Sequence, residues 1–552
     1  MSAYPSDIDD WGITDGYHDI FGTWHATSDE TRAALRAAMG TPGDAPPLWF
    51  VHPGEEHELQ EQCLLDLEDG TSRGAIDRLP PDLPLGYHRL RPLGGGVLTE
   101  LICAPTRCPD APRAWGVACQ LYATMSSSSQ GIGDFADLAQ LARWVSSLGG
   151  RAILLSPLHP PSPTLPIEPS PYSPASRAWR NPLHLRVDGL EPSSPTIIDR
   201  NSTWTVKEAA LRAQFADRRL DSAWREWADR HGWALSPWAT WCASVDGVGD
   251  ADFHRWLQWL IDEQLAAVHA AAPDVALIGD LAIGFSNDGA DAVNYAEQIA
   301  RGCRIGAPPD AFNTAGQDWD LPPFVPWRLR ACRYEPFIHT IRGALRGLDG
   351  LRIDHVMGLF RQYWIPPGAT AREGAYVRFR SEELLAIVAL EATRAGAFVI
   401  GEDLGTVEEG VRETLRRFNV LGTEVALFTD DPPAAWPDTN LATIATHDLP
   451  TFAGVWHGLD GDPELLHRLE VLTGLGADAP VEEAAVAAHA ALATAPCPLR
   501  LGSLDDITLA EQRPNVPGTV LERPNWSIPL PMPLEVIEAS PVAHRIASAL
   551  GG

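Results

Sequence analysis

The chain has 552 residues, 45% of them hydrophobic, which allows a large barrel-sized core plus an appendage. Its 73 acidic residues outnumber 42 basic ones, and a formal net charge of −31 argues against nucleic-acid or anionic-membrane partners, which need basic surface. The acidic start lacks the pattern of a secretion signal and no stretch is long and apolar enough to span a bilayer, so a cytoplasmic location is expected.

Residues 1–45 are polar and read as helical, with Thr27 and Glu30 as a capping box and Gly40 closing the helix. From 48 to 103, short apolar runs separated by Gly, Pro and Asp clusters predict a small β-sandwich-like domain. The Pro-rich stretch at 105–112 marks a boundary between residues 1–112 and a catalytic domain spanning 113–552. Beyond it the fold class is α/β. Buried-strand candidates at 117–122, 151–155, 275–278, 351–353, 398–400 and 442–445 are nearly continuous in apolar residues, as parallel strands covered on both faces tend to be. Helical candidates at 138–148 and 381–395 lie between them, and the alternation predicts a TIM (β/α)8 barrel. The stretch at about 190–272 reads as a helical insertion, with Phe253, Trp256, Leu257, Leu260 and Leu265 at helical spacing. A Gly- and Pro-containing segment at about 306–322 is either a plain surface connection or a lid loop. The eight cysteines are scattered and form no Cys-x-x-Cys pair, so buried thiols are expected, with no zinc or redox role.

Three acids run straight off strand-like segments. Asp354, Glu402 and Asp448 are 48 and 46 residues apart, each interval being one βα unit. Strand C-termini of a barrel converge on one face, and carboxyls gathered there suit glycosidic bond chemistry. A lone Asp at a strand end is more often a helix cap, but three at this spacing weigh against that reading. Arg352 shares a strand face with Asp354 and would keep it ionised by charge pairing. Asp448 would add negative charge that holds Glu402 protonated. Asp280, at another strand end, either binds sugar or caps the following helix.

Residues 351–360 (LRIDHVMGLF), 401–407 (GEDLGTV) and 445–451 (ATHDLPT) resemble the nucleophile, acid/base and third-carboxylate motifs of the amylomaltase (disproportionating enzyme) family of 4-α-glucanotransferases, glycoside hydrolase family 77. Residues 130–138, 170–177, 306–319, and 515–519 with Pro524, Asn525 and Trp526 look like further landmarks of that family in the same order, over roughly residues 113–530. The resemblance implies that Asp354 is the nucleophile, Glu402 the acid and then base, and Asp448 the transition-state stabiliser. It places His355 and His447 against sugar hydroxyls. It makes 306–319 a lid with Asp310, Asn313 and Gln317 as polar contacts and Trp319 near the sugar. Tyr172 is a second ring able to stack on a sugar face. Two departures stand out: Glu408 where the family often has Pro, and Asp320 where Gly is more usual.

The implied activity is retaining transfer of α-1,4-glucan segments between malto-oligosaccharides, with maltodextrins as donors, glucose as a possible acceptor, and no metal or organic cofactor. The alternatives are an α-amylase-like hydrolase using water, a non-catalytic glucan-binding protein, and transfer with a specialised sugar. Oligomeric state is not legible.

Overall fold

The computed structural model describes residues 9–19, 22–43, 46–309, 314–460, 462–519 and 522–552. Eight parallel strands close into a barrel: β1 (Ala114–Cys119), β2 (Ala152–Leu155), β3 (Ala276–Leu281), β4 (Gly350–Ile353), β5 (Phe398–Gly401), β6 (Val420–Val425), β7 (Asn440–Thr443) and β8 (Leu499–Ser503). Each neighbours the next in sequence, and β8 returns to β1. All six strand candidates are barrel strands. The two that sequence patterning misses, β6 and β8, carry Gly422, Thr423 and Glu424, or Arg500 and Gly502. Polar and glycine positions break the apolar run by which the other six are recognised.

The helix Phe135–Ser147 begins with a complete capping box between Asp134 and Asp137. Ser381–Ala395 matches its predicted bounds, buries Leu384 to Ala392 without a break, and ends at Gly396 with φ 68°. Between β2 and β3 the expected helical insertion consists of Arg200–Arg218, Ser222–Arg230, Gly232–Val245 and Ala251–Ala271. The last of these packs against Phe135–Ser147 and leads into β3, the place of a regular barrel helix.

The predicted lid differs from an irregular loop. Gln317–Leu321 is a strand, paired antiparallel with Arg304–Ala307 in a four-stranded sheet completed by Arg361–Ile365 and Ala375–Arg378. The two other strands of this sheet lie distant in sequence, so no local pattern announces it. Asp320 adopts φ 53°, which explains why glycine is at home there; Asn287 Nδ2 steadies the turn by donating to the Asp320 carbonyl at 2.8 Å. Glu408 accepts from Arg378 Nη1 at 2.7 Å and so ties the loop after β5 to the same sheet.

At the N-terminus the helix is Asp29–Met39, with Gly40 at φ 73° behind it. Its cap is Ser28, which accepts from Thr31 N at 3.0 Å. Thr27, the expected cap, instead donates its hydroxyl to the Thr14 carbonyl at 2.8 Å. The strands at 48–103 form one five-stranded sheet, in the order Leu48–Val51, Thr99–Cys103, Gly86–Pro92, Glu58–Asp66 and Ser72–Arg78, rather than two facing sheets. Its own core holds Leu65, Leu90 and Leu101, while Ile102, together with Leu35 and Met39 from the preceding helix, packs into the barrel-side cluster with Ile338, Leu385 and Val377.

Deletion of residues 1–112 is therefore expected to lower the melting temperature sharply. Leu35, Met39 and Ile102 alone represent about 5 kcal/mol of apolar burial. A thermal melt of the truncated protein tests this, and an unchanged transition would show that the two parts fold independently.

Candidate active site

The barrel register brings the site together. Asp280 on β3 pairs with Arg352 on β4, so their side chains share a face. Ile353 pairs with Gly401 on β5, which sets Asp354 and Glu402, one step further along each strand, beside one another at the C-terminal mouth. Arg352 Nη1 donates to Asp280 Oδ1 at 2.7 Å and lies 3.1 Å from Asp354 Oδ1. Tyr172 Oη donates to Asp280 Oδ2 at 2.7 Å. Asp280 therefore holds Arg352 and Tyr172 in place at the mouth. Backbone N–H groups of His355 and Leu404 donate to Glu402 Oε2 and Oε1 at 2.9 and 2.7 Å. His355 itself sits at φ 46°, where the chain turns off β4.

Burial pushes the Asp354 carboxyl up to about 7; Arg352 opposes this, while Asp280 and Glu402 add like charge. The expected pairing with Arg352 is present, but that one guanidinium is divided between two carboxylates. Burial also raises Glu402, against Arg352 and its two backbone donors, and the like charge that assists comes from Asp403, not from Asp448 as expected. Asp403 is itself fixed by Arg412 Nε at 2.9 Å and Thr423 N at 2.8 Å. Asp448 behaves oppositely. Burial would raise it, but His447 and a hydrogen bond from Asn515 carry it down to about 2. The Asn515 Nδ2 to Asp448 Oδ1 distance is 2.7 Å, and Arg513 Nη2 donates to the Asp448 carbonyl at 2.6 Å.

Three rings line one side. Tyr172 and His447 stack at 4.8 Å between centroids, and Trp526 lies 5.4 and 5.5 Å from them. Across the mouth, Trp319 meets His355 edge-on at 5.6 Å, and its Nε1 donates to Gln317 Oε1 at 3.1 Å. Asp354, Glu402, Asp448, Arg352, His355, His447, Tyr172, Asp280, Gln317 and Trp319 are thus linked through one set of contacts. Asp310 and Asn313 lie outside the described residues. Sequence reasoning assigned no role to Asn515, Arg513 or Trp526. Their segment stood out only as a landmark, and what they touch lies 65 residues or more upstream, beyond any local pattern.

A family model described as 4-alpha-glucanotransferase, glycoside hydrolase 77, matches residues 119–251 and 246–534. A 4-alpha-glucanotransferase of Mycobacterium tuberculosis is 35% identical over 98% of this chain and 96% of its own. One from Haemophilus influenzae is 31% identical over 76% of this chain and 72% of its own. Among solved structures, amylomaltase from Corynebacterium glutamicum aligns with a TM-score of 0.88 at 30% identity, covering 98% of both chains. An amylomaltase from Streptococcus agalactiae in complex with acarbose shares the fold, with a TM-score of 0.68 at 18% identity over 79% of this chain and 98% of its own. Because these likenesses run through the barrel and its surroundings as well as through the three carboxylate segments, the chain belongs to the glycoside hydrolase 77 family of 4-alpha-glucanotransferases.

Proposed function

We propose that the enzyme moves α-1,4-glucan segments between malto-oligosaccharides by double displacement, with glucose among its acceptors. The observation that carries this reading is the pairing of Asp354 with Arg352 at 3.1 Å beside a Glu402 whose oxygens, among the described residues, accept from the backbone N–H groups of His355 and Leu404. Two neighbouring buried carboxyls share protons as a unit. The 3.1 Å contact with Arg352 favours the negative charge on Asp354 and leaves the proton on Glu402. Asp354 attacks the anomeric carbon as the glycosidic C–O bond breaks, and Glu402 delivers its proton to the departing oxygen. A 4-hydroxyl of the acceptor then attacks the same carbon, returning its proton to Glu402 and releasing Asp354. Asp448, kept ionised by His447 and Asn515, accepts sugar hydroxyls and stabilises positive charge on the ring. Tyr172, His447 and Trp526 offer a wall for that ring, and Trp319 closes the acceptor side. Cytoplasmic maltodextrins are the substrates this reading implies; among the described residues no helix is long and apolar enough to cross a membrane.

Incubation with maltotriose tests the proposal. Transfer yields glucose together with oligomers longer than the donor, whereas glucose and maltose alone would identify the hydrolase and no reaction the non-catalytic binder. Trp319→Ala is expected to raise the hydrolysed fraction about five-fold, since losing a stacked ring costs about 1 kcal/mol at the acceptor site. An unchanged ratio of hydrolysis to transfer would remove Trp319 from the acceptor site.

A further inference from the structure

Two short strands, Gly16–His18 and Trp24–Ala26, pair antiparallel into a ribbon, and four of their six residues are rings: Tyr17, His18, Trp24 and His25. The Trp24 indole lies across Gly16. A Cβ placed there would stand 2.3 Å from the His25 carbonyl oxygen, 2.5 Å from Trp24 Cζ2 and 2.9 Å from Cε2, so the glycine makes room for both the paired backbone and the ring. One part of the indole is thus seated on backbone, yet Trp24 remains 49% exposed. His18 leans against it at 4.9 Å between centroids, and Tyr17 and His25 stack at 5.1 Å. His25 Nε2 lies 2.9 Å from Asp19 Oδ2, so polar groups border the rings. A single exposed tryptophan is ordinary. One held in place beside hydrogen-bonding groups suits the apolar face of a sugar ring, with hydroxyls bonding at the rim, and little side-chain freedom is left to lose on binding.

The position of the ribbon supports this. Tyr17 packs edge-on against Tyr363 and Tyr376 at 5.9 and 5.5 Å, and these two are paired in register on the sheet that carries Trp319. Side chains alternate across a strand, and Trp364 and Val377 on the opposite face join the barrel-side core. The ribbon therefore lies on the outer face of the lid sheet, away from the carboxylates. A binding surface there would serve a glucan long enough to run on past the cleft rather than a trisaccharide held within it.

We propose that this ribbon, with Trp24 as its platform, is a second glucan-binding site outside the catalytic cleft, one that holds α-1,4-glucan polymer while the cleft acts on a segment of it. The inference rests on the reading of the substrate as an α-1,4-glucan. Its test compares the full chain with Trp24→Ala in two assays, retardation in native gels containing amylose and transfer from maltotriose. The expected result is at least a five-fold loss of amylose affinity, partly restored in Trp24→Phe, with unchanged maltotriose turnover and melting temperature. Equal retardation of both proteins would overturn the site, and so would a parallel fall in maltotriose turnover by a folded variant. Should Trp24→Ala melt early, His18→Ala, beside the same ring, is put through the same two assays with the same criteria. Failure of the wild type to act on maltotriose would instead count against the catalytic reading, while the gels still report on the ribbon.

Discussion

Asp354→Asn is expected to abolish transfer, by on the order of 10⁴-fold or more, and to leave the fold intact. The amide has nearly the shape of the carboxylate but cannot supply an anionic oxygen to the anomeric carbon, so no glucosyl-enzyme forms. Stability should not suffer. Burial, together with the like charges of Asp280 and Glu402 and against the pull of Arg352, holds the Asp354 carboxyl up at about 7. Removing its charge relieves repulsion, so the variant should melt at the same temperature or slightly higher. Maltotriose turnover and a thermal melt on the same preparation decide the matter. Near-normal transfer would mean that another group is the nucleophile.

Glu402→Gln should cost about 10² to 10⁴-fold on maltotriose, the range expected for a general acid. What distinguishes this from a structural effect is the leaving group. Fluoride departs without a proton, so formation of the glycosyl-enzyme from α-maltosyl fluoride should remain close to the wild-type rate, whereas maltotriose should barely react. Equal losses on both donors would point to damage elsewhere. The pH profile carries the same information. Burial raises Glu402, so its acid form persists above the ordinary carboxylate range. Turnover should therefore fall as pH rises through that pKa and the proton is lost, and this basic limb should be absent in Glu402→Gln.

Much of the site was legible because its signals are local. Asp354 and Glu402 each follow directly on a buried strand, and strand polarity carries them to one mouth of a barrel, with Asp448 in the turn beyond β7. Asp280 and Arg352 are legible as residues but not as a pair, since their contact depends on the register between β3 and β4. The same holds for Asp403. It sits next to Glu402 in sequence and adds like charge there, while Asp448 turns to His447 and Asn515.

The sequence by itself determined where buried strands and helices run, because apolar periodicity reports what each segment must hide from water. This is clear for Ser381–Ala395 and for six of the eight barrel strands. It also determined the chemical kind of the site, because carboxyls at strand ends bring their own chemistry. Only the tertiary structure decided the rest. Gln317–Leu321 became a strand through pairing with Arg304–Ala307, the N-terminal strands closed as one sheet, and Leu35, Met39 and Ile102 were drawn into the barrel-side core. The sheet assembly and the shared core depend on partners far along the chain, and the charge state of each carboxyl depends on which guanidinium, amide or second acid the fold sets beside it.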